Sequence, residues 1–257
     1  MPFVNNDGVR IHYEVVGEGA PLLLVHGLMG FHEDWIDNGY VQELKHDYMM
    51  VLVDLRGHGE SDKPVEPEAY KLRPMAEDIV EVMDELDVSK SHYVGHSLGG
   101  YVGLGLTKYA LNRLNSLTVL DYGPYQAEHL SEVKATWEGY YSQEKELMIT
   151  LIASSITDET PPFYKNALMK WVEKYRKVDV TPYTAWCKIR EQEELTNVLP
   201  SVNIPCLFIC AENGTYKIPA KEISEMITSA EYRLMKGLSH IDVWGEAISS
   251  SHILRTS

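Results

Sequence analysis

Five short, continuous apolar runs constrain the fold of this chain more than any other feature: PLLLVHG (21–27), YMMVLVDLRGHG (48–59), SHYVGHSLGG (91–100), LTVLDYGP (117–124) and CLFICA (206–211). A strand with one wet face alternates apolar and polar residues, so runs without alternation belong to strands covered on both faces, as in a parallel sheet. Helical spacing lies between them. In RPMAEDIVEVMDEL (73–86), Pro74 suits a first turn, and Met75, Ile79, Val82, Met83 and Leu86 share one face. Strand followed by helix, repeated, predicts an open, mostly parallel α/β sheet with right-handed crossovers. The opening residues read differently. Phe3 and Val4, then Asn6-Asp7-Gly8, then Val9, Ile11, Tyr13 and Val15 alternate around a turn, which predicts an N-terminal antiparallel hairpin.

One interval breaks the rhythm. From about Tyr125 to Thr196 there is no strand-like run, only helix-like stretches such as 162–175 and 181–195, rich in aromatics that include Trp137, Tyr140, Tyr141, Phe163, Tyr164, Trp171, Tyr183 and Trp186. The expected organisation is a core made of 1–124 and 197–257 with a helical cap inserted at 125–196. AEYRLMKG (230–237) reads as the last strand.

At 257 residues and 44% apolar content, the chain can bury one large α/β core. Its formal charge of −15, from 38 acidic and 23 basic side chains, repels phosphate backbones and anionic membrane surfaces, so nucleic acid and membrane are excluded as expected partners. The N-terminus MPFVNNDG lacks a basic segment leading into an apolar one, and no stretch reaches the length of a membrane span, so a cytoplasmic protein is expected. Cys206 and Cys210 sit four apart in one extended run, roughly 13 Å at strand rise, too far for a disulfide or a shared metal. They are expected to be buried strand cysteines.

The chemical signal is Gly95-His96-Ser97-Leu98-Gly99. It follows the apolar HYV and precedes YVGLGLTKYA, so a strand turns sharply into a helix with Ser97 at the tip. Glycines two residues to either side are required where a side chain collides with the neighbouring strand and helix. Ser97 is therefore the candidate nucleophile.

With the hairpin, His26-Gly27 after a buried strand, the DLRGHGES turn at 54–61, the serine elbow, the helical interval and a late histidine, the chain resembles the α/β-hydrolase superfamily over essentially its whole length. The resemblance implies an oxyanion hole made by the backbone N–H groups of Leu28 and Leu98. It also implies structural roles for His26 and His58. His240, after the last strand in Leu238-Ser239-His240, is the expected general base. His252, near the end of a serine-rich tail, is read as solvent-facing.

The third partner is missing from its usual place. Relatives in this superfamily commonly carry an aspartate two residues after the glutamate of the turn that follows the CLFIC-like strand, whereas this chain reads Ala211-Glu212-Asn213-Gly214. Asp121, at the end of the preceding strand, resembles the acid of other branches. Glu212 and Asn213 are alternatives, and so is a site with no working acid. The function expected is cofactor-free and metal-free hydrolysis of a small, largely apolar carboxylic ester or lactone through an acyl-serine. Acyl transfer, perhydrolysis, carbon–carbon bond hydrolysis, thioester hydrolysis and a weakly catalytic sensor share the same residues. The sequence carries no signal for oligomeric state.

Overall fold

A computed structural model of the chain describes residues 2–123, 162–189, 193–214 and 216–246, with isolated positions at 146, 149–150, 153 and 156. The backbone alternates strands and helices around one sheet. Its strands are β1 (Phe3–Asn6), β2 (Val9–Val16), β3 (Ala20–Val25), β4 (Tyr48–Val53), β5 (Ser91–His96), β6 (Leu114–Leu120), β7 (Cys206–Ala211) and β8 (Ala230–Met235). They form one sheet in the order β1-β2-β4-β3-β5-β6-β7-β8. β1 and β2 form the hairpin and β2 joins β4 antiparallel, while every later pairing is parallel. The hairpin turns on Asp7 and Gly8, both at positive φ (49° and 86°), the pair of conformations that a tight twisted hairpin demands.

The unalternating runs are explained by what covers them. The α-helices among the described residues are α1 (Glu33–Asp37), α2 (Tyr40–Leu44), α3 (Leu72–Glu85), α4 (Leu98–Tyr109), α5 (Pro162–Arg176), α6 (Thr181–Cys187), α7 (Lys217–Met226) and α8 (His240–Glu246). Leu23, Val25, Val51 and Val53 point to the face where Met75, Ile79 and Val82 of α3 pack with Val102 and Leu106 of α4. Leu22, Leu24, Met50 and Leu52 point to the opposite face, against Trp35, Tyr40, Leu44, Val243 and Trp244 of α1, α2 and α8. Both strand faces are dry, so both carry apolar side chains. The three cysteines described, Cys187, Cys206 and Cys210, are free and buried.

Between β6 and β7, α5 and α6 gather Leu168, Val172, Tyr175, Tyr183 and Cys187 into a separate apolar cluster with Met29 and Ile149. The helix-like reading of 181–195 is corrected here: α6 ends at Cys187, and 193–195 are irregular. Tertiary contacts override the periodicity. Glu193 is held by Lys108 and Tyr109 of α4, and Glu194 turns back to accept from Thr196 N–H at 2.8 Å. Trp137, Tyr140, Tyr141, His252 and the side chains of Phe163 and Tyr164 lie outside the described residues. No described helix is long and apolar enough to cross a membrane.

The turn after β4 is organised around a buried carboxylate. Asp54 Oδ2 takes hydrogen bonds from His12 Nδ1 (2.9 Å), His32 Nδ1 (2.8 Å) and Glu60 N–H (3.1 Å), and Oδ1 takes one from His32 N–H (2.8 Å). Gly59 makes this possible, since a Cβ there would lie 2.2 Å from the Asp54 carboxylate. Beyond it, Arg56 grips Asp78 of α3 with two bonds of 2.6 Å, and Asn6 of the hairpin donates to the same carboxylate at 2.8 Å. These contacts lock the hairpin, the turn and α3 together.

Candidate active site

The C-terminal ends of β3, β5, β6, β7 and β8 converge on one cavity, the usual place for ligands in an open parallel sheet. The cavity encloses about 1030 Å³, including its mouth, and Leu28, Ser97, Leu98 and His240 all line it.

Ser97 sits between β5 and α4 with φ 50° and ψ −112°, a conformation rarely tolerated outside glycine. The strain is held by the surroundings. Ser97 N–H donates to Leu120 O at 2.9 Å, and Ser97 O accepts from Tyr101 N–H at 3.0 Å. The flanking glycines leave no room for side chains: a Cβ on Gly95 would lie 2.3 Å from Gly99 O, and one on Gly99 would lie 2.1 Å from Val25 O. Gly27 brings the β3 loop against the elbow, because a Cβ there would meet His96 Nδ1 at 2.8 Å and Ser97 Cβ at 3.1 Å. Leu98 opens α4, where a backbone N–H has no acceptor within the helix. The loop N–H that is occupied belongs to Met29, which donates to His58 Nε2 at 3.2 Å, while among the described residues Leu28 N–H has no acceptor.

His26 and His58 are fixed in one tautomer by these loops. In each ring Nδ1 donates to a backbone carbonyl, Gly27 O at 2.7 Å and Arg56 O at 3.0 Å, and Nε2 accepts a backbone N–H, from Leu55 and Met29. Burial pushes both rings down, His58 to about 3, so they are neutral scaffolding. His96, beside the elbow, is likewise pushed down to about 3 by burial and by His240; it stacks on Trp244 with ring centroids 4.8 Å apart.

His240 is the first residue of α8. Ser239 precedes it and is held by Asp242, whose Oδ2 accepts from Ser239 N–H at 2.8 Å and from its Oγ at 2.5 Å. The ring points back across the strand ends, and its Nδ1 donates to Asp121 Oδ2 at 2.6 Å. Asp121 is fully buried and has φ 46°. Its Oδ1 accepts Ala211 N–H at 2.9 Å. Burial pushes this carboxyl up, but the His240 hydrogen bond and charge, with the Ala211 N–H, outweigh it and hold Asp121 below the ordinary carboxylate range. In the neutral ring, an Nδ1–H committed to Asp121 leaves the lone pair on Nε2. Among the described residues no hydrogen bond joins Ser97 Oγ to His240.

The AENG turn now has a physical account. A Cβ on Gly214 would lie 2.8 Å from Asp121 Oδ2 and 3.1 Å from Oδ1, so the Asp121 carboxylate occupies the space where a residue-214 side chain would start. Glu212 faces elsewhere: its Oε2 accepts Gly237 N–H at 2.9 Å. Asn213 is exposed, and its N–H donates to Leu238 O at 3.0 Å. The structure thus brings Ser97, His240, Asp121, Leu28 and Leu98 to one end of the sheet and leaves Glu212 and Asn213 out of the group.

Two further polar residues, unmarked in the sequence reading, line the same cavity: Asp34 and Asn38, from α1 and the residue just after it. Asp34 Oδ2 accepts Phe31 N–H at 2.8 Å, and Lys174 Nζ of α5 lies 3.5 Å from Oδ1. Burial pushes Asp34 up to about 7 against the pull of Lys174. A five-residue helix has too little periodicity to announce which of its side chains face a site.

A model of the alpha/beta hydrolase fold matches residues 20–212. Among curated proteins, epoxide hydrolase 4 of Mus musculus is 42% identical over 101 residues, which is 38% of this chain and 28% of that protein. The 3-oxoadipate enol-lactonase 1 of Acinetobacter baylyi is 27% identical over 216 residues, covering 80% of this chain and 76% of that one. The chain spans less than half the length of the first curated relatives it matches. The crystal structure of an enol-lactonase from Burkholderia xenovorans LB400 superposes with a TM-score of 0.83 at 19% identity, covering 98% of each chain.

Proposed function

The chain belongs to the alpha/beta hydrolase fold family, and from that premise we propose that it hydrolyses a small, largely apolar carboxylic ester or lactone through an acyl-serine intermediate. The observation that carries the reading is the Asp121–His240 pair, 2.6 Å long, opening onto the cavity that Ser97 lines. The described helices α5 and α6 act as a lid over that cavity, contributing Leu168, Trp171 and Trp186 to its apolar wall.

In the first half-reaction Ser97 Oγ attacks the carbonyl carbon and its proton passes to His240 Nε2. Asp121 keeps the ring in the Nδ1–H tautomer and stabilises the imidazolium. The carbonyl oxygen, now an oxyanion, is met by the N–H groups of Leu28 and Leu98, donors that need no reorganisation. The tetrahedral adduct collapses, the ester bond breaks, and His240 returns the proton to the departing alkoxide. Water then repeats the sequence on the acyl-serine and frees the acid.

The likeness to an epoxide hydrolase does not carry that activity here. Opening an epoxide through a covalent ester needs a carboxylate at the elbow, and this chain has the Ser97 hydroxyl. The test is a panel of 4-nitrophenyl esters and aliphatic lactones assayed with and without a serine-directed fluorophosphonate. Hydrolysis lost in step with one adduct on Ser97, located by mass spectrometry, is the expected result. An adduct on Ser61 or Ser239, or full activity after labelling, overturns the assignment.

A further inference from the structure

The cavity wall is mostly apolar, and among the described residues three buried polar atoms of its lining side chains stand without a partner: His96 Nδ1, Trp244 Nε1 and Asn38 Oδ1, the last a carbonyl-type oxygen that can only accept. Asn38 is 6% exposed. Its Nδ2 donates to Asp34 O at 2.8 Å, which sets the orientation of the amide, and its Oδ1 is buried with no partner. The hydrogen bonds that close α1 use the Asn38 nitrogens only, since its backbone N–H also donates to Asp34 O, at 2.9 Å. A capping role therefore accounts for half of the amide. The other half is a desolvated acceptor on the wall of a site, and leaving such a group unmet is costly.

Another polar group on that wall, the Asp34 carboxyl, sits beside it. Its charge is opposed by Lys174, which also reaches Asp37 at 3.3 Å and Glu33 at 3.6 Å, while Lys170 pairs with Asp37 at 2.6 Å. With those two lysines supplied from α5, the acidic residues of α1 already have cationic partners, and what Asn38 Oδ1 beside them still calls for is a neutral donor. We propose that Asn38, supported by Asp34, is a specificity-determining polar subsite that selects esters or lactones bearing a hydroxyl or amide N–H on the chain away from the scissile carbonyl.

This rests on the reading of the cavity as an ester-hydrolase site and narrows its substrate class. A site built around a hydrogen bond discriminates against the analogue that lacks the donor far more strongly than an apolar wall discriminates by size. The experiment compares pairs of 4-nitrophenyl alkanoates of equal length, one member carrying a single hydroxyl moved stepwise along the acyl chain. kcat/KM is measured for the parent, Asn38→Leu and Asn38→Ala. At one hydroxyl position the parent should favour the hydroxylated ester by about 10- to 100-fold, as expected for meeting a buried acceptor. Both variants should lower that ratio at least about tenfold. Two variants of different size separate loss of the acceptor from a packing defect, which would slow both esters of a pair together. A parent that favours the hydrocarbon ester at every position, or a ratio that neither variant moves, overturns the proposal. If no ester is cleaved and the fluorophosphonate leaves Ser97 unlabelled, the hydrolase reading falls. The subsite is then decided by calorimetry with the matching pairs of amides: tighter binding of one hydroxylated amide supports it, and equal binding throughout overturns it.

Discussion

Among the described residues two histidine–carboxylate clusters stand at the same end of the sheet, and they differ in access. Around Asp54, both partner rings are buried, with side-chain exposures of 0% for His12 and 5% for His32. Around Asp121, the carboxylate is just as buried, yet the His240 side chain keeps 31% of its surface exposed. The bond lengths are alike, at 2.8–2.9 Å and 2.6 Å. Proton transfer needs a ring nitrogen that a substrate can reach, so access separates a structural pair from a chemical one. His12 and His32 spend their contacts holding the hairpin and the 54–61 turn. His240 spends one nitrogen on Asp121 and faces the cavity with the other.

The largest effect expected from breaking this contrast is on the open cluster. Asp121→Asn keeps the shape and tolerates the positive φ of the site, since asparagine enters that region readily. It removes the charge and the tautomer lock, so kcat should fall by about 10³–10⁴ with KM little changed. Thermal stability should move far less than kcat. Steady-state kinetics beside a melting curve test this, and a silent Asp121→Asn would show that Asp121 is not a working acid.

The closed cluster should respond the other way. Asp54→Asn leaves His12 and His32 without their shared carboxylate and should cost about 3–5 kcal/mol of stability, as for a broken buried pair. Activity per folded molecule should stay within about threefold of the parent. The pH dependence has a definite sign. Burial raises Asp54, but its histidine partners hold it well below 3.8, so its contribution is complete above that value and is lost as pH falls through the lowered pKa. Burial lowers His32, yet Asp54, Glu33 and Glu14 raise it overall, so its contribution is full below 6.5 and lost as pH rises through the raised pKa. Denaturant melts of parent and Asp54→Asn should therefore show their widest gap between pH 3.8 and 6.5 and converge only at an acid end that lies below the lowered Asp54 pKa. A gap that persists there would mean that packing, rather than charge, holds the turn.

Much of this was legible in the sequence, and the illegible part has a common cause. The strands, the hairpin and the serine elbow are written locally, as continuous apolar runs, a turn between alternating residues, and glycines at fixed spacing. His240 could be placed from its order in the chain. The choice among Asp121, Glu212, Asn213 and no acid could not be made, because it turns on where a Cβ at Gly214 would fall relative to a carboxylate 93 positions earlier. The 181–195 stretch has helical spacing, but contacts from α4 decide its end. Asp34 and Asn38 went unmarked because only the packing of α1 against the cavity gives them meaning. In each case the deciding partner is remote in sequence.

The space around Gly214 bears on the open cluster as well. Residue 214 does not need positive φ, so the obstacle to a side chain there is the Asp121 carboxylate itself. Gly214→Asp alone should lower kcat by about tenfold or more, since a like charge pressed against Asp121 disturbs its bond to His240. The double change Asp121→Gly with Gly214→Asp vacates the space and moves the acid to the turn after β7. It should recover about a tenth to a hundredth of the parent rate, far above Asp121→Gly alone. Equal rates for the single and double variants would show that the turn cannot present an acid to His240.

The smallest effect is expected at the carboxylate that sequence order made a rival. Glu212 lies beside the site in the chain, but its Oε2 holds Gly237 N–H at 2.9 Å, in the turn that leads from β8 to His240. Gly237 has φ 75°, a conformation suited to glycine, and closing that turn fixes where α8 begins. Glu212→Gln keeps an acceptor oxygen for the same N–H and removes only the charge. Its kcat should fall by less than about tenfold, and Glu212→Ala, which frees the turn, should cost more than Glu212→Gln. That ordering belongs to a residue that positions the His240 loop. A loss of about 10³ or more in Glu212→Gln, with Asp121→Asn mild, would transfer the role of acid to Glu212 and make Asp121 the second closed cluster.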